Sequence, residues 1–389
     1  MKIVHIAASI PYNDYWGYQD NLLPKYQIKL GHEVTLITTN SMLKDGRRHI
    51  IDCGEYDLND GTHIVRLAVK KYHPAVWTYI NDRLIGLYPV LCREKPDFIF
   101  FHGICSISIT DVIRYKKKVN PACVIVQDNH LDYNIGHSST GIKKVILQSY
   151  YRLINRYSIR YVSKVYGVTP WRKLYAEDYF GIPAEKTDVL IMGADDEKID
   201  FAHRDEIRVR IRKEYGVQDD EFLVITGGKL DAKKEVLALM EACRELPRVR
   251  LLIFGCVLPD IEERFEALLA QSENVTFIGW LDADRVYDYY FAADLVAFPG
   301  QHSVLWEQAC AAKVPCLFAR WDGMEHVNNG GNSVLVDKID SDSLREEIRA
   351  LCFTDAYRKM QEIAASPATD IYFYSHIAEK SLECAPKSK

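Results

Sequence analysis

The stretch Phe298-Pro-Gly-Gln-His-Ser-Val-Leu-Trp-Glu307-Gln-Ala-Cys310 carries the residue types of an anion-binding turn. It follows the apolar run Leu295 to Phe298, which reads as a buried parallel strand, and it leads into an apolar-periodic helix. Gly300 permits a tight turn and Ser303 is a suitable N-cap, so the first-turn amides would point out of the strand's carboxyl end. Open α/β sheets bind ligands at that end, and a helix N-terminus favours phosphate. Glu307 lies one position too late for a capping box with Ser303. Its carboxylate either answers the helix dipole or serves a ligand, and the local sequence leaves both open.

A second candidate is the turn Thr226-Gly-Gly-Lys229-Leu-Asp-Ala-Lys-Lys234. Its glycines, Gly228 among them, let backbone amides approach a ligand, and its lysines supply point charges suited to a diphosphate. It matches neither the dinucleotide nor the Walker A fingerprint. His102, in Phe-His-Gly103, ends a strand and either faces a cleft or is a satisfied core histidine. Asp128, in Asp128-Asn-His130, ends the next strand, where it would orient His130, accept a proton or cap a turn. Trp16-Gly17-Tyr-Gln19 fills the loop after the first strand. Asp282-Ala-Asp284 starts a helix and reads as an N-cap, so no metal and no other cofactor is expected.

These residues need a scaffold, and the chain alternates strand and helix throughout. In the first half, strands are expected at Lys2 to Ala8, His32 to Thr39, His63 to Val69, Phe98 to His102, Ala122 to Gln127, Lys164 to Thr169 and Asp188 to Met192. The second half repeats the pattern from Phe222 to Val336. The expectation is an α/β protein with two Rossmann-like domains facing across a cleft, at residues 1–195 and 196–365. Residues 366–389 would form a terminal helix and tail returning to the first domain. A length of 389 residues with 48% apolar content supports two such cores, and a net charge of -5 argues against a nucleic-acid partner. Ten cysteines without a C-x-x-C pair, several in apolar runs (Cys123, Cys256, Cys316), read as reduced core residues of a cytosolic protein. Met1-Lys-Ile-Val-His-Ile is already a strand, not a signal peptide, and no run of 18 apolar residues would span a membrane.

With these motifs in place the chain resembles the retaining family-four glycosyltransferases of GT-B architecture. The resemblance rests on Gly31-His32-Glu33-Val34, Met192-Gly-Ala-Asp195, Gly228-Lys-Leu with Lys234, Phe277-Ile-Gly279-Trp280 and Glu307-Gln-Ala-Cys-Ala. It implies that Lys229 and Lys234 hold the donor diphosphate, with Gly228 and Ser303 beside them. It implies that Glu307 binds the donor ribose as the second glutamate of an E-x7-E motif. Gly279 and Trp280 would meet the base, and His130 with Asp128 would serve the transferred sugar. His302, Gly17, Gln19 and His102 are the remaining candidates for donor sugar or acceptor. The motif departs from the family at Pro299, where the first glutamate would fall, in a region that looks shortened.

A stripe of Lys144, Gln148, Arg152, Arg156, Arg160 and Lys164, spaced by four, is read as one winding basic face on a helix over 141–164. Like charges at that spacing repel, so the stripe either meets an anionic membrane or is a solvated, internally paired face. The resulting expectation is a cytoplasmic, metal-independent hexosyl- or N-acetylhexosaminyl-type transferase. It would use a nucleotide-diphosphate sugar, UDP-linked, and a glycan or lipid-linked acceptor, at the inner face of a membrane. The alternatives are a non-hydrolysing nucleotide-sugar epimerase and a sugar-nucleotide-binding partner subunit without turnover.

Overall fold

The computed structural model describes residues 1–44, 46–133 and 141–386, with the side chains of Tyr79 and of 141–144 outside that description. The chain divides into two compact units, Met1–Ile191 with Ile377–Lys389, and Met192–His376. The expected boundaries at 195/196 and 365/366 differ from these breaks.

Among the described residues the first unit holds ten strands: β1 (Lys2–Ala7), β2 (Glu33–Thr39), β3 (Ser41–Lys44), β4 (Arg47–Ile50), β5 (Gly54–Asp57), β6 (His63–Leu67), β7 (Phe98–His102), β8 (Val124–Asn129), β9 (Lys164–Gly167) and β10 (Thr187–Val189). Eight of them form one sheet in the order β10-β9-β8-β7-β1-β2-β6-β5. All neighbours are parallel except β5, which runs antiparallel to β6. That edge strand and the β3–β4 hairpin were not expected from the sequence, because Arg47–Ile50 and Gly54–Asp57 are largely exposed and lack an apolar face. The parallel strands run through the centre as near-continuous buried segments, Ile3 to Ala7 and Phe98 to His102, as a sheet covered on both faces requires. The apolar core joins these strands to the helix Ile109–Lys118 through Val112 and Ile113 and to the helix Gly141–Ser158 through Tyr151 and Ile154.

The second unit holds β11 (Phe222–Leu230), β12 (Val249–Val257), β13 (Val275–Gly279), β14 (Leu295–Phe298), β15 (Cys316–Ala319) and β16 (Ser333–Val336). Their order is β13-β12-β11-β14-β15-β16, all parallel. This is the 3-2-1-4-5-6 order of a doubly wound sheet, which reverses between β11 and β14. The first unit's parallel strands follow the same rule and reverse between β1 and β7. Each reversal leaves a crevice beyond the strands' carboxyl ends, where ligands bind. All ten cysteines are unpaired, but Cys256 is exposed at the end of β12 rather than buried as its apolar run suggested.

The glycine-rich turn expected at 226–234 is strand for half its length. β11 continues to Leu230, with Gly228 beside Gly255 of β12. Both glycines lie at positive φ, +111° and +119°, and a Cβ on Gly255 would fall 1.8 Å from the Gly228 carbonyl oxygen. The two backbones pass too closely for any side chain. Gly255→Ala should therefore cost about 2–4 kcal/mol, from strain and forced separation of β11 and β12. Urea denaturation measures it, and a loss below about 0.5 kcal/mol, the size of an ordinary surface change, would contradict the close approach.

Candidate functional site

In the second unit Lys234, Gly300 and Ser303 meet at the β11/β14 reversal, whereas Gly279 and Trp280 lie at the end of β13. β11 and β14 pair only at Val224↔Leu295 and Ile225↔Val296, then separate, which frees the β14-side edge of Gly227 to Leu230. The turn after β11 and the turn after β14 are knit to each other. Gln301 N–H donates to Lys233 O at 2.8 Å, and Lys234 Nζ donates to Gln301 O at 2.7 Å. A Cβ on Gly300 would lie 2.4 Å from Lys233 O, so this is the position where glycine is needed for close approach. Burial lowers the Lys234 pKa, and its ammonium is half-buried, whereas Lys229 is exposed. A cavity of about 10 Å³ remains between the turns, lined by Thr226, Gly227, Lys234, Gly300, Ser303 and Trp306. It has room for about one water.

Ser303 is not the N-cap. The helix runs Leu305–Ala311 with Val304 at its cap and no side-chain capping bond, and Ser303 contributes its carbonyl to Trp306 N–H at 3.0 Å. Serine is the better capping type, but the turn's own geometry puts Val304 at the cap instead. Asp282 does occupy the N-cap of the short helix Ala283–Arg285, though without a side-chain capping bond, while Asp284 pairs with Lys198.

Glu307 is fully buried. Its Oε1 accepts from His302 Nε2 at 2.8 Å and from His326 Nε2 at 2.9 Å, whereas Oε2 has no hydrogen-bond partner among the described residues. Burial alone would raise its pKa, but the two imidazoles outweigh it and hold the carboxyl at about 2. Such a residue is not the exposed helix-start carboxylate that a dipole role describes. His302, expected near a sugar, spends Nε2 on this carboxylate. The three groups form a set that could ligate a metal, their ligand atoms within 4.8 Å of one another, but the two nitrogen–oxygen distances are those of hydrogen bonds. Gly279 ends β13 at φ +75°, and Trp280 beside it is 68% exposed.

In the first unit a buried network starts at the β1/β7 reversal. Asp128, in β8, is fully buried; Oδ1 accepts from Gly103 N–H at 2.6 Å and Oδ2 faces His102 Nδ1 at 2.8 Å and His130 Nε2 at 3.4 Å. Burial opposes ionisation here, yet His102 and His130 win and hold the Asp128 carboxyl well below its ordinary range. The other side of His102 meets His5 of β1, Nε2 to Nδ1, at 3.0 Å. His130 itself is 45% exposed at the side chain. The helix Gln19–Lys29 begins beside this cluster, with Tyr18 at the cap and no side-chain capping bond. Gln19 is 4% exposed, and neither its amide oxygen nor its nitrogen has a hydrogen-bond partner among the described residues. Asp20 is buried as well, and burial raises its pKa against the pull of His102 and His130. Gly17 is exposed with open space around its Cα, and Trp16 packs edge-on against Tyr18 at 5.3 Å.

The sequence reading missed His5, Asp20 and His326. His5 had a signal, a polar residue in the middle of a strand otherwise buried on both faces. His326 had none, since it lies 19 residues from Glu307 in a short turn, Glu325–Val327.

The basic stripe is not one helix. The helix ends at Ser158, Arg160 follows it and Lys164 opens β9, where it pairs with Glu383 at 3.5 Å. Arg152 donates to the carbonyls of Tyr179 and Asp178 at 2.5 and 3.0 Å, and the Lys144 side chain lies outside the described residues. Arg156 and Arg160 are exposed, next to Val145, Ile146, Leu153 and Tyr157, which are also exposed. Among the described residues no helix is long and apolar enough to cross a membrane.

The buried cage gives a pH test. A carboxyl depressed in the folded state stabilises it above the ordinary pKa of 4.5, and that contribution is lost as pH falls towards about 2. Wild type should lose on the order of a few kcal/mol through Glu307 over that window. Glu307→Gln should lack this part of the slope in denaturation curves at pH 5, 4 and 3, and equal slopes would remove the cage's charge pairing.

Comparison with known proteins agrees with both halves of the chain. Residues 221–353 match the family described as "Glycosyl transferases group 1". An uncharacterized glycosyltransferase of Methanocaldococcus jannaschii is 22% identical over 329 residues, covering 82% of this chain and 80% of its own. The alpha-galactosylglucosyldiacylglycerol synthase of Streptococcus pneumoniae is 22% identical over 174 residues, 42% of this chain, and the match spans 46% of that relative. Anabaena HepE, solved in complex with UDP, superposes with a TM-score of 0.68 at 17% identity, covering 99% of each chain. The fold is the GT-B fold, with two Rossmann-like domains.

Proposed function

We propose that this chain, which carries a group 1 glycosyl transferase domain over residues 221–353, transfers a sugar from a nucleoside-diphosphate donor, UDP-linked, to a glycan or lipid-linked acceptor with retention at the anomeric carbon. The observation that carries the reading is the β11/β14 reversal. Two knitted turns there set Lys234 beside Ser303 and Trp306, and the next residue, Glu307, is a fully buried carboxylate whose Oε2 has no hydrogen-bond partner among the described residues. Sugar transfer from a diphosphate releases a leaving group that gains negative charge in the transition state, so preorganised cations and amides aimed at it lower the barrier. In this reading the ammonium groups of Lys229 and Lys234 and the freed amides of β11 take that charge, with no metal required. Glu307 accepts from the ribose hydroxyls through Oε2, while its two histidines keep it ionised. Gly279 and Trp280 meet the base.

In the first unit, Asp128 acts as a buried orienter. Its oxygens are engaged by Gly103, His102 and His130, which leaves His130 Nδ1 for the transferred sugar or the acceptor hydroxyl. The unpartnered amide of Gln19 supplies further hydrogen-bonding capacity beside Gly17. The UDP complex of Anabaena HepE supports a UDP donor, and the lipid-glycan name of the Streptococcus relative supports a lipid-linked acceptor. Neither of these concerns the chain's own sugar.

Isothermal titration with a nucleoside diphosphate, its 2′,3′-dideoxy analogue and the free nucleoside tests the donor reading. Wild type should prefer the ribose form, and Glu307→Gln should lose about 1–3 kcal/mol of that preference. Lys229→Ala and Lys234→Ala should each weaken the diphosphate by about 1.5–3 kcal/mol and leave the nucleoside nearly unchanged. A Glu307→Gln variant that keeps the full ribose preference would sink the assignment.

The acceptor reading extends to a membrane surface. Val145, Ile146, Leu153 and Tyr157 lie along one exposed side of the helix Gly141–Ser158, with Arg156 next to them and Arg160 just beyond its end. An apolar stripe flanked by cations suits a helix lying in an anionic interface. Leu153→Ser should weaken binding to acidic liposomes at all salt concentrations. The pair Arg156→Glu and Arg160→Glu should weaken it mainly at low salt, because exposed charges are screened beyond about 10 Å at 0.1 M. Unchanged co-sedimentation of both variants at low salt would return this face to a solvated one.

A further inference from the structure

We infer that Ser381, Gln27 and His5 form a buried hydrogen-bond relay whose polarity fixes His102 as an imidazolium, making all three positioning residues for the Asp128–His130 pair. Ser381, in the helix Tyr374–Ser381, donates its hydroxyl hydrogen to the Ala378 carbonyl at 2.6 Å. Its oxygen is then the acceptor for Gln27 Nε2 at 2.9 Å. That fixes the amide of Gln27 with nitrogen towards Ser381 and oxygen towards His5 Nε2, at 2.7 Å. A carbonyl oxygen only accepts, so His5 Nε2 carries the hydrogen. His5 is fully buried, and burial, followed by the charge of His102, pushes its pKa down to about 3, so it is neutral and its Nδ1 is bare.

The bare Nδ1 accepts from His102 Nε2 at 3.0 Å, which places a hydrogen on His102 Nε2. The other ring nitrogen, Nδ1, faces the Asp128 carboxylate at 2.8 Å, which also only accepts. His102 therefore carries hydrogens on both nitrogens and a positive charge. Burial works against that charge, but Asp128 and, further off, Asp20 raise the His102 pKa above its ordinary value. The charged groups facing His102 are Asp128 and Asp20, the neutral ring of His5 lies on its other side, and His130 stands across Asp128. Every donor along the relay is matched by one acceptor, so reversing any link means reversing all of them. The reversed chain, with Gln27 turned over and His5 protonated at Nδ1, leaves His102 neutral. Ser381 thereby influences a charge three side chains away.

The functional consequence rests on the reading above, in which His130 serves the sugar or the acceptor. A cationic His102 shares the Asp128 oxygen that orients His130, and so sets how strongly that oxygen holds the second imidazole.

Histidine side-chain ¹⁵N–¹H correlation spectra of the full chain test the relay without reference to activity. In wild type, both His102 ring nitrogens should carry hydrogen at neutral pH. Gln27→Leu removes the acceptor that orders the relay and should lower the pH midpoint of His102 by about one unit, a tenfold change in its protonation equilibrium. Ser381→Ala should move the midpoint in the same direction, and Ser381→Thr, which keeps the hydroxyl, should restore it. The serine pair carries the test should Gln27→Leu fail to fold. A His102 with one bare nitrogen in wild type, or a midpoint unmoved in folded Gln27→Leu and Ser381→Ala, overturns the relay. The pH profile of sugar transfer separates this from the proposed function. A lowered His102 midpoint with an unmoved profile upholds the relay and removes Asp128 and His130 from the chemistry.

Discussion

The structure depends most on the separation of parallel strands where the sheet order reverses. A buried parallel strand must pair its backbone groups on both sides, and β11 does so along its first half. Beyond Ile225 its β14 neighbour departs, and the remaining edge has no strand to pair with. Right-handed crossovers on either side force this divergence in any doubly wound sheet. It leaves that backbone edge next to a space that helices and turns must wall off. The Gly228–Gly255 contact, the Gln301–Lys233 bond and the Lys234–Gln301 bond are the local answers to that geometry.

The charged groups around the two reversals share a logic. In each unit a carboxylate with no solvent exposure is kept ionised by imidazoles, Glu307 by His302 and His326, Asp128 by His102 and His130. An isolated buried carboxylate would take up a proton, because desolvation penalises the charge more than anything else nearby compensates. Two imidazoles supply hydrogen bonds and positive potential without the long, mobile stems of lysine or arginine. The difference lies in what remains open. Among the described residues Glu307 keeps one oxygen without a partner, while Asp128 has both engaged, so the first suits contact with a ligand and the second suits holding a neighbour in place.

The histidine relay shows how a charge can be assigned by connectivity. No single contact of His102 determines whether it is protonated; the count of donors and acceptors from Ala378 to Asp128 does. Because the relay is buried along its whole length, water does not substitute for a missing link at low cost. The terminal helix, whose Ser381 anchors the far end, is thus joined to the sheet's interior by more than apolar packing.

Much of this was legible in the sequence because it depends on local composition. The apolar runs at Phe98–His102 and Leu295–Phe298 specify buried parallel strands wherever they occur, and Gly228 and Gly300 mark places where backbones crowd. The alternation of such runs with helical periodicity is enough for a doubly wound sheet in each half. The exposed strands Arg47–Ile50 and Gly54–Asp57 were not legible, since they bury no face and leave no pattern of two. Nor was the cap at Val304, chosen by the turn that Gly300 permits rather than by side-chain preference. Gln27 lies 22 residues from His5 and 354 from Ser381, and His326 is 19 residues from the carboxylate it holds. Sequence determines which residue types are available and which segments are buried. Only tertiary structure decides which donor meets which acceptor, because a hydrogen bond requires atoms within about 3 Å and chain separation carries no information about that distance.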